Sequence, residues 1–241
     1  MRLNKFLAHC GVDSRRKCDE IIFQGRVRVD GETVNNPGAR IDPARSEVLV
    51  DGEPVSLKKQ YTYIKMHKPP GFITSRKDPH HSQTVMQLLP NVLHVMPVGR
   101  LDKDSTGILL FTDDGDMNYR LTHPGHEVEK EYEVLLRRPP SGALEEELPE
   151  GIILEDKGER VQGTAEALNR KRTHFRVILC EGKKREVKRI FRHYDTRVFR
   201  LHRNFFAGIT ANDLPPGKWK KLNNEEIEKI KTVAGLKDDR E

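Results

Sequence analysis

Residues 99–116, GRLDKDSTGILLFTDDGD, gather five carboxylates and three glycines around a short apolar run. Three chemistries compete for such a stretch: a metal loop, a set of turn caps, or a carboxylate that acts on a substrate. Asp102, Asp104, Thr106, Gly107 and Asp113 fall near the positions that a helix–loop–helix calcium site fills with oxygen ligands, a turn glycine and a final carboxylate. That site needs a helix on either side, yet Pro97 and Gly99 precede the stretch and the β-prone ILLF follows. Its middle ligand would be a threonine, and its last an aspartate in place of a bidentate glutamate. Calcium is therefore set aside. Asp104, Ser105 and Thr106 are expected to satisfy backbone N–H groups in a tight turn, and Asp113–Gly115 to form the next one. Asp102 differs, because it follows Arg100 and Leu101 at the edge of the apolar run, where a carboxylate can be half-desolvated beside an arginine.

A second constellation is EGKKREVKRIFRHYDTRVFRLHR, in which Lys183 to Arg203 includes nine bases against Glu186 and Asp195. Val187, Ile190, Phe191 and Tyr194 recur at helical spacing, so a helix is expected over 185–194 rather than a disordered basic tail. Lys184, Lys188 and Arg192 would share one face a turn apart, and so dense a cationic flank favours contact with phosphates over a merely solvated surface. A third residue, Tyr132 in the strand EKEYEV, would by itself be taken as core or rim filling. His80-His81, His123 and His126 sit near Pro and Gly and are read as surface residues.

These side chains need elements to hold them. Leu3, Phe6, Leu7 and Cys10 mark a short amphipathic helix closed by Gly11, and Ser14 caps a second, RRKCDEIIFQG, that stops at Gly25. RVRVDGETV alternates around Asp30-Gly31 and signals a hairpin; Asp51-Gly52 makes a second turn. The first 29 residues are lopsided in charge: Arg2, Lys5, Arg15, Arg16, Lys17, Arg26 and Arg28 face only Asp13, Asp19 and Glu20. Bases spread over two helices and a strand suit a polyanion. From residue 61 the texture changes to strands: YTYIKMHK running into a Pro-Pro-Gly turn, then GILLF, EKEYEVLL, GTAEAL and HFRVILC. Helical patterns are fewer, at 84–89, 185–194 and NEEIEKIKTV, and the last residues, KDDRE, read as frayed. Without a regular βαβ rhythm, an α+β fold with a mixed, mostly antiparallel sheet and flanking helices is expected.

Over the whole 241 residues, 43 bases outnumber 37 acids, a moderate excess that many enzymes share. The sparse, odd set Cys10, Cys18 and Cys180 argues for reduced thiols and against a disulfide framework or a thiolate zinc site. Charges interrupt the apolar N-terminus, so no signal peptide is read there, and no run is long enough to span a membrane. A soluble, cytoplasmic protein is expected.

The first 50 or so residues, helix, Ser-Arg-Arg helix, Gly-Arg-Val-x-Val-Asp-Gly hairpin, resemble the alpha-L RNA-binding domain named after a small-subunit ribosomal protein. In order along the remainder, KPPGFITS, GRLDKDSTGILLFTDDGD, EKEYEV, EGKKREVKRIF and LPPGKWKKLNNEEI resemble the motifs of pseudouridine synthases, in the RsuA- and RluB-like branch that modifies ribosomal RNA. The resemblance implies an RNA-binding domain over 1–57, a linker over 58–60 and a catalytic domain with the pseudouridine synthase fold over 61–241. It implies that Asp102 is the catalytic aspartate, that Tyr132 packs against the target uracil, and that Lys188 pairs with the aspartate. Arg100 would help hold the place of the flipped-out nucleotide, while Leu101 and Leu201 would line the base pocket. The bases of the N-terminal unit, with Lys184, Arg185, Arg189 and Arg192, would contact RNA. One departure is NFFAGIT after LHR, where relatives commonly carry a basic residue and Ile-Gly.

Isomerising uridine to pseudouridine breaks N1–C1′ and joins C5 to C1′ with no atom gained or lost, so neither a redox cofactor nor a metal is expected. It needs a flipped base, a carboxylate at the sugar and a cation to keep that carboxylate ionised in a water-poor pocket. The partner implied is ribosomal RNA or an assembly particle, and the chain is expected to act as a monomer. KDPHHSQTV and TDDGD favour the small-subunit RNA. The alternatives are the same reaction on large-subunit RNA and a catalytically silent, RNA-binding assembly factor, against which Asp102, Tyr132 and Lys188 together argue.

Overall fold

The computed structural model describes residues 1–58, 60–76, 83–91, 94–154 and 156–236, and its chain divides into two compact units. Met1–Tyr61 with Asp113–Gly115 form one, and Thr62–Thr112 with Asp116–Glu241 the other.

In the first unit, helix α1 spans Leu3–Cys10 and ends on Gly11, whose φ of 83° is the left-handed cap that glycine adopts without a Cβ penalty. Ser14 accepts the Lys17 N–H to start α2, Arg15–Phe23. Strands β1 (Val27–Val29), β2 (Glu32–Thr33), β3 (Val48–Val50) and β4 (Glu53–Pro54) form a sheet in the order β2-β1-β3-β4. Both Asp-Gly pairs hold two successive positive φ angles, 50° and 88° at Asp30-Gly31, and 53° and 88° at Asp51-Gly52. This is the turn whose twist matches a two-residue hairpin. Leu3, Phe6, Leu7, Cys18, Ile22, Val27 and Val48 close the core beneath.

The second unit is built on a sheet in the order β11-β12-β8-β13-β7-β5-β15. Its strands and helices, in chain order, are β5 (Tyr63–Lys68), β6 (Met96–Val98), β7 (Thr106–Thr112), α3 (Gly115–Thr122), β8 (Lys130–Leu136) and α4 (Leu144–Glu150). Then come β9 (Ile152–Leu154), β10 (Glu159–Val161), β11 (Gly163–Ala167), β12 (His174–Leu179) and α5 (Glu186–His193). The chain continues through β13 (Val198–Phe206), β14 (Ile209–Thr210), β15 (Trp219–Lys221) and α6 (Asn224–Val233). β6 also pairs with β7 and β14 with β13, while β9 and β10 pair with each other. Every pairing is antiparallel except β13 with β7, so the sheet is mixed and mostly antiparallel.

The continuous apolar run of β7 follows from burial on both faces. Leu109 and Phe111 join Tyr132, Val134, Phe175 and the α5 residues Ile190 and Phe191 on one side. Ile108 and Leu110 join Met117 and Leu121 of α3, Phe206, and Ile230 of α6 on the other.

Four expectations are corrected. The pattern at 84–89 is a single 3₁₀ turn, Val85–Leu88. Asp113–Gly115 lead into α3 rather than a free turn, and α4, with Pro149 inside it, is an additional helix. β13, read from its charge as part of a basic tract, is a nine-residue strand beside β8 and β7. Two β-bulges hid its alternation, leaving Phe199 and Asn204 without partners in the β8 register. His80-His81 and KDDRE lie outside the described residues, and among those described no helix is long and apolar enough to cross a membrane.

Candidate active site

Asp102 sits in the short connection from β6 to β7, and the turn that carries it is braced from several sides. Ser105 N–H bonds the Asp102 carbonyl at 3.1 Å. Thr74 Oγ1 donates to the Leu101 carbonyl at 2.9 Å and accepts its N–H at 3.2 Å, and Gly71 N–H reaches the Lys103 carbonyl at 2.8 Å. Lys68, fully buried at the end of β5, spends its three N–H donors on the carbonyls of Ser105 (2.8 Å), Pro69 (3.1 Å) and Lys103 (3.4 Å). Burial lowers its amine to about 8, with the charges of Asp104 and Asp102 opposing the drop. The KPPG and RLDKDS segments are thus one braced assembly.

Lys188 enters from α5, which is turned by Val187, Ile190 and Phe191 in the core. Its side chain is only 10% exposed, and Nζ lies 3.0 Å from Asp102 Oδ2 and 2.5 Å from Asp104 Oδ1. The two carboxylates therefore converge on an amine. Asp104 is more than a turn cap: the lysine holds its carboxyl below the usual range against the opposing effect of burial. Ser105 and Thr106 depart from the turn reading as well, since Ser105 Oγ is buried without a partner among the described residues and Thr106 Oγ1 meets His202 Nδ1 at 2.8 Å.

Beside Asp102 opens a cavity of ≈ 110 Å³ lined by Arg100, Leu101, Asp102, Ser105, Lys130, Tyr132, Arg185, Glu186, Leu201 and Arg203 among others. Tyr132 and Arg203 face each other across β8 and β13, and both line this cavity. Burial raises the Tyr132 hydroxyl, against the pull of Arg203. Arg203 is 2% exposed, donates from Nε (3.0 Å) and Nη2 (2.8 Å) to the Ile108 carbonyl, and lies 4.6 Å over the Phe206 ring. Lys130 is buried too, pushed down to about 8 by burial and then by Arg203, and donates to the Val128 and Cys180 carbonyls. Neither cation has a carboxylate in contact among the described residues. A buried cation without a counter-ion is costly unless the site is made to receive negative charge. Glu186 adds a carboxyl raised to about 7 by burial and then by neighbouring Glu181; its Oε2 accepts the Lys183 N–H, while Oε1 has no hydrogen-bond partner among the described residues.

Asp102, Tyr132, Arg100, Leu101 and Leu201 thus line one pocket, with Lys188 reaching it through Asp102, although Asp102 and Leu201 lie 99 positions apart in sequence. Arg185 is at its rim, in the left-handed region at φ 54°. Lys184 and Arg192 are exposed, Lys184 just ahead of α5, so the cationic face expected of that helix is divided. Arg189 is misassigned as an RNA contact. It is 7% exposed, and its guanidinium is spent on Asp156 and Glu159, each at 2.6 Å, which hold it protonated. In the first unit, Arg2, Arg15, Arg16, Lys17, Arg26 and Arg28 are exposed and Lys5 is half-buried. Lys17 pairs with Glu20, Arg26 with Asp51, and Arg28 bonds the Gly31 carbonyl.

Sequence reasoning missed Lys68, Thr74, Lys130, Glu186 and the role of Arg203. For Lys68 a signal existed, since Ile64, Met66 and Lys68 fall on one face of a period-2 strand that is otherwise apolar.

Comparison with known proteins agrees with this geometry. The family model described as RNA pseudouridylate synthase matches residues 62–193, and that of the S4 domain matches residues 1–44. The chain is 36% identical to ribosomal small subunit pseudouridine synthase A of Escherichia coli (strain K12), over 95% of this chain and 100% of that one. It is 32% identical to ribosomal large subunit pseudouridine synthase B of Bacillus subtilis (strain 168), over 97% and 96% respectively. A crystal structure of a pseudouridylate synthase superposes with a TM-score of 0.70 at 30% identity, covering 95% of this chain and 99% of that one. The chain therefore belongs to the RNA pseudouridylate synthase family, in its RsuA/RluB-like branch with an N-terminal S4 domain, and is a pseudouridine synthase.

Proposed function

We propose that this enzyme isomerises a uridine of ribosomal RNA to pseudouridine, with Asp102 acting at the sugar of a flipped-out nucleotide. The observation that carries the reading is the contact of Asp102 with Lys188 at 3.0 Å, at the edge of a pocket backed by Tyr132 and Arg203. Lys188 fixes the carboxylate of Asp102, which serves either as nucleophile at C1′ or as base toward the C2′ proton. When N1–C1′ breaks, the bonding pair leaves with the uracil. The unpaired charges of Arg203 and Lys130 suit that developing anion, in a pocket already organised before the substrate arrives. Tyr132, fixed in the core opposite Arg203, gives the detached ring a surface on which to turn. C5 then joins C1′, displacing the Asp102 carboxylate by the first route or with the C2′ proton returned by Asp102 in the second; C5 loses its proton and N1 gains one, so the atoms balance.

Ribosomal RNA as substrate rests on the relatives named for both subunits. The preference for the small subunit rests on KDPHHSQTV and TDDGD, the first lying mostly outside the described residues. The N-terminal unit serves to bind RNA, as its exposed bases on α2 and the β1–β2 hairpin fit phosphates. The enzyme acts as a monomer in the cytoplasm.

Release of C5 tritium from uridine-labelled 16S and 23S transcripts tests the assignment. Asp102→Asn should fall to background while its thermal melting curve stays within a few degrees of the parent. Tritium release at the parent rate would refute the role of Asp102, and pseudouridine in neither transcript would refute the substrate.

A further inference from the structure

The bulge at Phe199 does more than interrupt β13. Val198 and Leu201 both pack into the core, which strict alternation forbids over a spacing of three. The extra residue resolves the conflict: Phe199 and Arg200 both leave the core, and Leu201 and Arg203 return to it, in the catalytic pocket. The by-product is a phenylalanine 54% exposed on the surface of the catalytic unit. It is not bare. The Arg137 guanidinium lies 4.8 Å from its ring centre and that of Arg200 5.8 Å away. Neither arginine, nor exposed Arg197 beside them, has a carboxylate partner among the described residues.

The neighbourhood points the same way. Arg200 lines an open trough of ≈ 940 Å³ along the sheet that also takes in Asp104, Thr106, Glu131, Glu133, Leu201 and His202. Leu201 borders both this trough and the catalytic pocket, so the trough begins where the pocket ends. The acids within it are already matched: Glu133 meets His174 Nε2 at 2.7 Å, and Glu131 accepts from Asn204 at 3.3 Å with Arg176 at 3.9 Å. The charge left over is that of the arginines around Phe199.

We propose that Phe199, flanked by Arg137 and Arg200, is a stacking platform for an unpaired nucleobase of the substrate RNA beside the target uridine. The base takes the aromatic face as the two guanidiniums that lie over the ring swing out to the phosphates on either side. The idea rests on the assignment of an RNA substrate, and the test separates the two.

The full-length enzyme is compared with Phe199→Ala, Phe199→Trp and Arg137→Gln/Arg200→Gln in two assays. One is single-turnover pseudouridine formation on 16S and 23S transcripts; the other is anisotropy binding of a fluorescein-labelled oligouridine. Phe199→Ala should raise the half-saturating RNA concentration by about 5-fold to 150-fold, the range expected for loss of one base stack. The saturating rate should stay within about twofold of the parent, because the ring does not touch the reacting atoms. Phe199→Trp should restore affinity, and the double glutamine variant should flatten the salt dependence by about 0.7 per lost contact. Parent-like RNA affinity in Phe199→Ala, or failure of tryptophan to restore it in a variant with a normal melting curve, overturns the platform. Should the parent modify neither transcript, the substrate assignment falls; the oligouridine titration still decides the platform by the same criterion.

Discussion

Among the described residues Lys188 is the one cation in contact with both Asp102 and Asp104, so its removal leaves two adjacent carboxylates to repel each other at the mouth of a half-dry pocket. Lys188→Met should lower kcat/KM by roughly 100-fold or more, while Lys188→Arg keeps the charge and recovers part of it; single-turnover rates on the same transcript check both. Glu186 supplies a pH signature. Its folded-state pKa of about 7 stands above the ordinary 4.5, so the native state holds the proton that the unfolded chain gives up between those values. The stability it contributes is full below pH 4.5 and is lost as pH rises through 7, by up to about 3 kcal/mol. Glu186→Gln should therefore narrow the gap between urea midpoints measured at pH 5 and pH 8; an unchanged gap would contradict it. At this scale the sequence made Asp102, Lys188 and Tyr132 legible, because their neighbours along the chain form motifs. Arg203 was not, since what defines it is the Ile108 carbonyl on a strand 95 residues away, and for Lys68 the odd lysine on an apolar strand face marked a buried amine but not its partner, the Ser105 carbonyl.

Among the elements, β7 and β13 carry the sharpest demand on sequence. A Cβ added to Gly107, at φ +109°, would lie 2.2 Å from the Arg203 carbonyl oxygen and 2.6 Å from its nitrogen. Only glycine permits the parallel register that places Arg203 beside Gly107 and His202 beside Thr106. Gly107→Ala should cost on the order of 3 kcal/mol or more and reduce activity even where some folded protein survives; a denaturation midpoint equal to the parent's would contradict it. Helix α5 is anchored by Arg189 on Asp156 and Glu159, and Arg189→Ala should lower the melting temperature without abolishing isomerisation at 25 °C. Strands β5, β7, β8 and β12 were legible because their alternation or apolar runs are unbroken. β13 was not, because each bulge resets its period, and α3 was hidden behind an Asp-Asp-Gly sequence that also suits a turn.

Across the whole molecule, basic residues outnumber acids only modestly, and where they stand matters more than their number. Arg15, Arg16 and Lys17 are all exposed on α2, so replacing the three with alanine should weaken binding of the full chain to rRNA transcripts and lower the slope of log affinity against log salt by about 2. An unchanged slope would remove α2 from the interface. The pocket imposes a different constraint, one of time. Lys188 reaches Asp104 across 84 residues and Arg203 reaches the Ile108 carbonyl across 95, whereas the hairpins of the first unit close over two. Pairings so remote in sequence carry the largest loop-closure entropy and form late. Catalytic competence is accordingly the last property this chain acquires: on dilution from denaturant, isomerisation should recover with the slowest phase of refolding, well after the local turns and helices have formed.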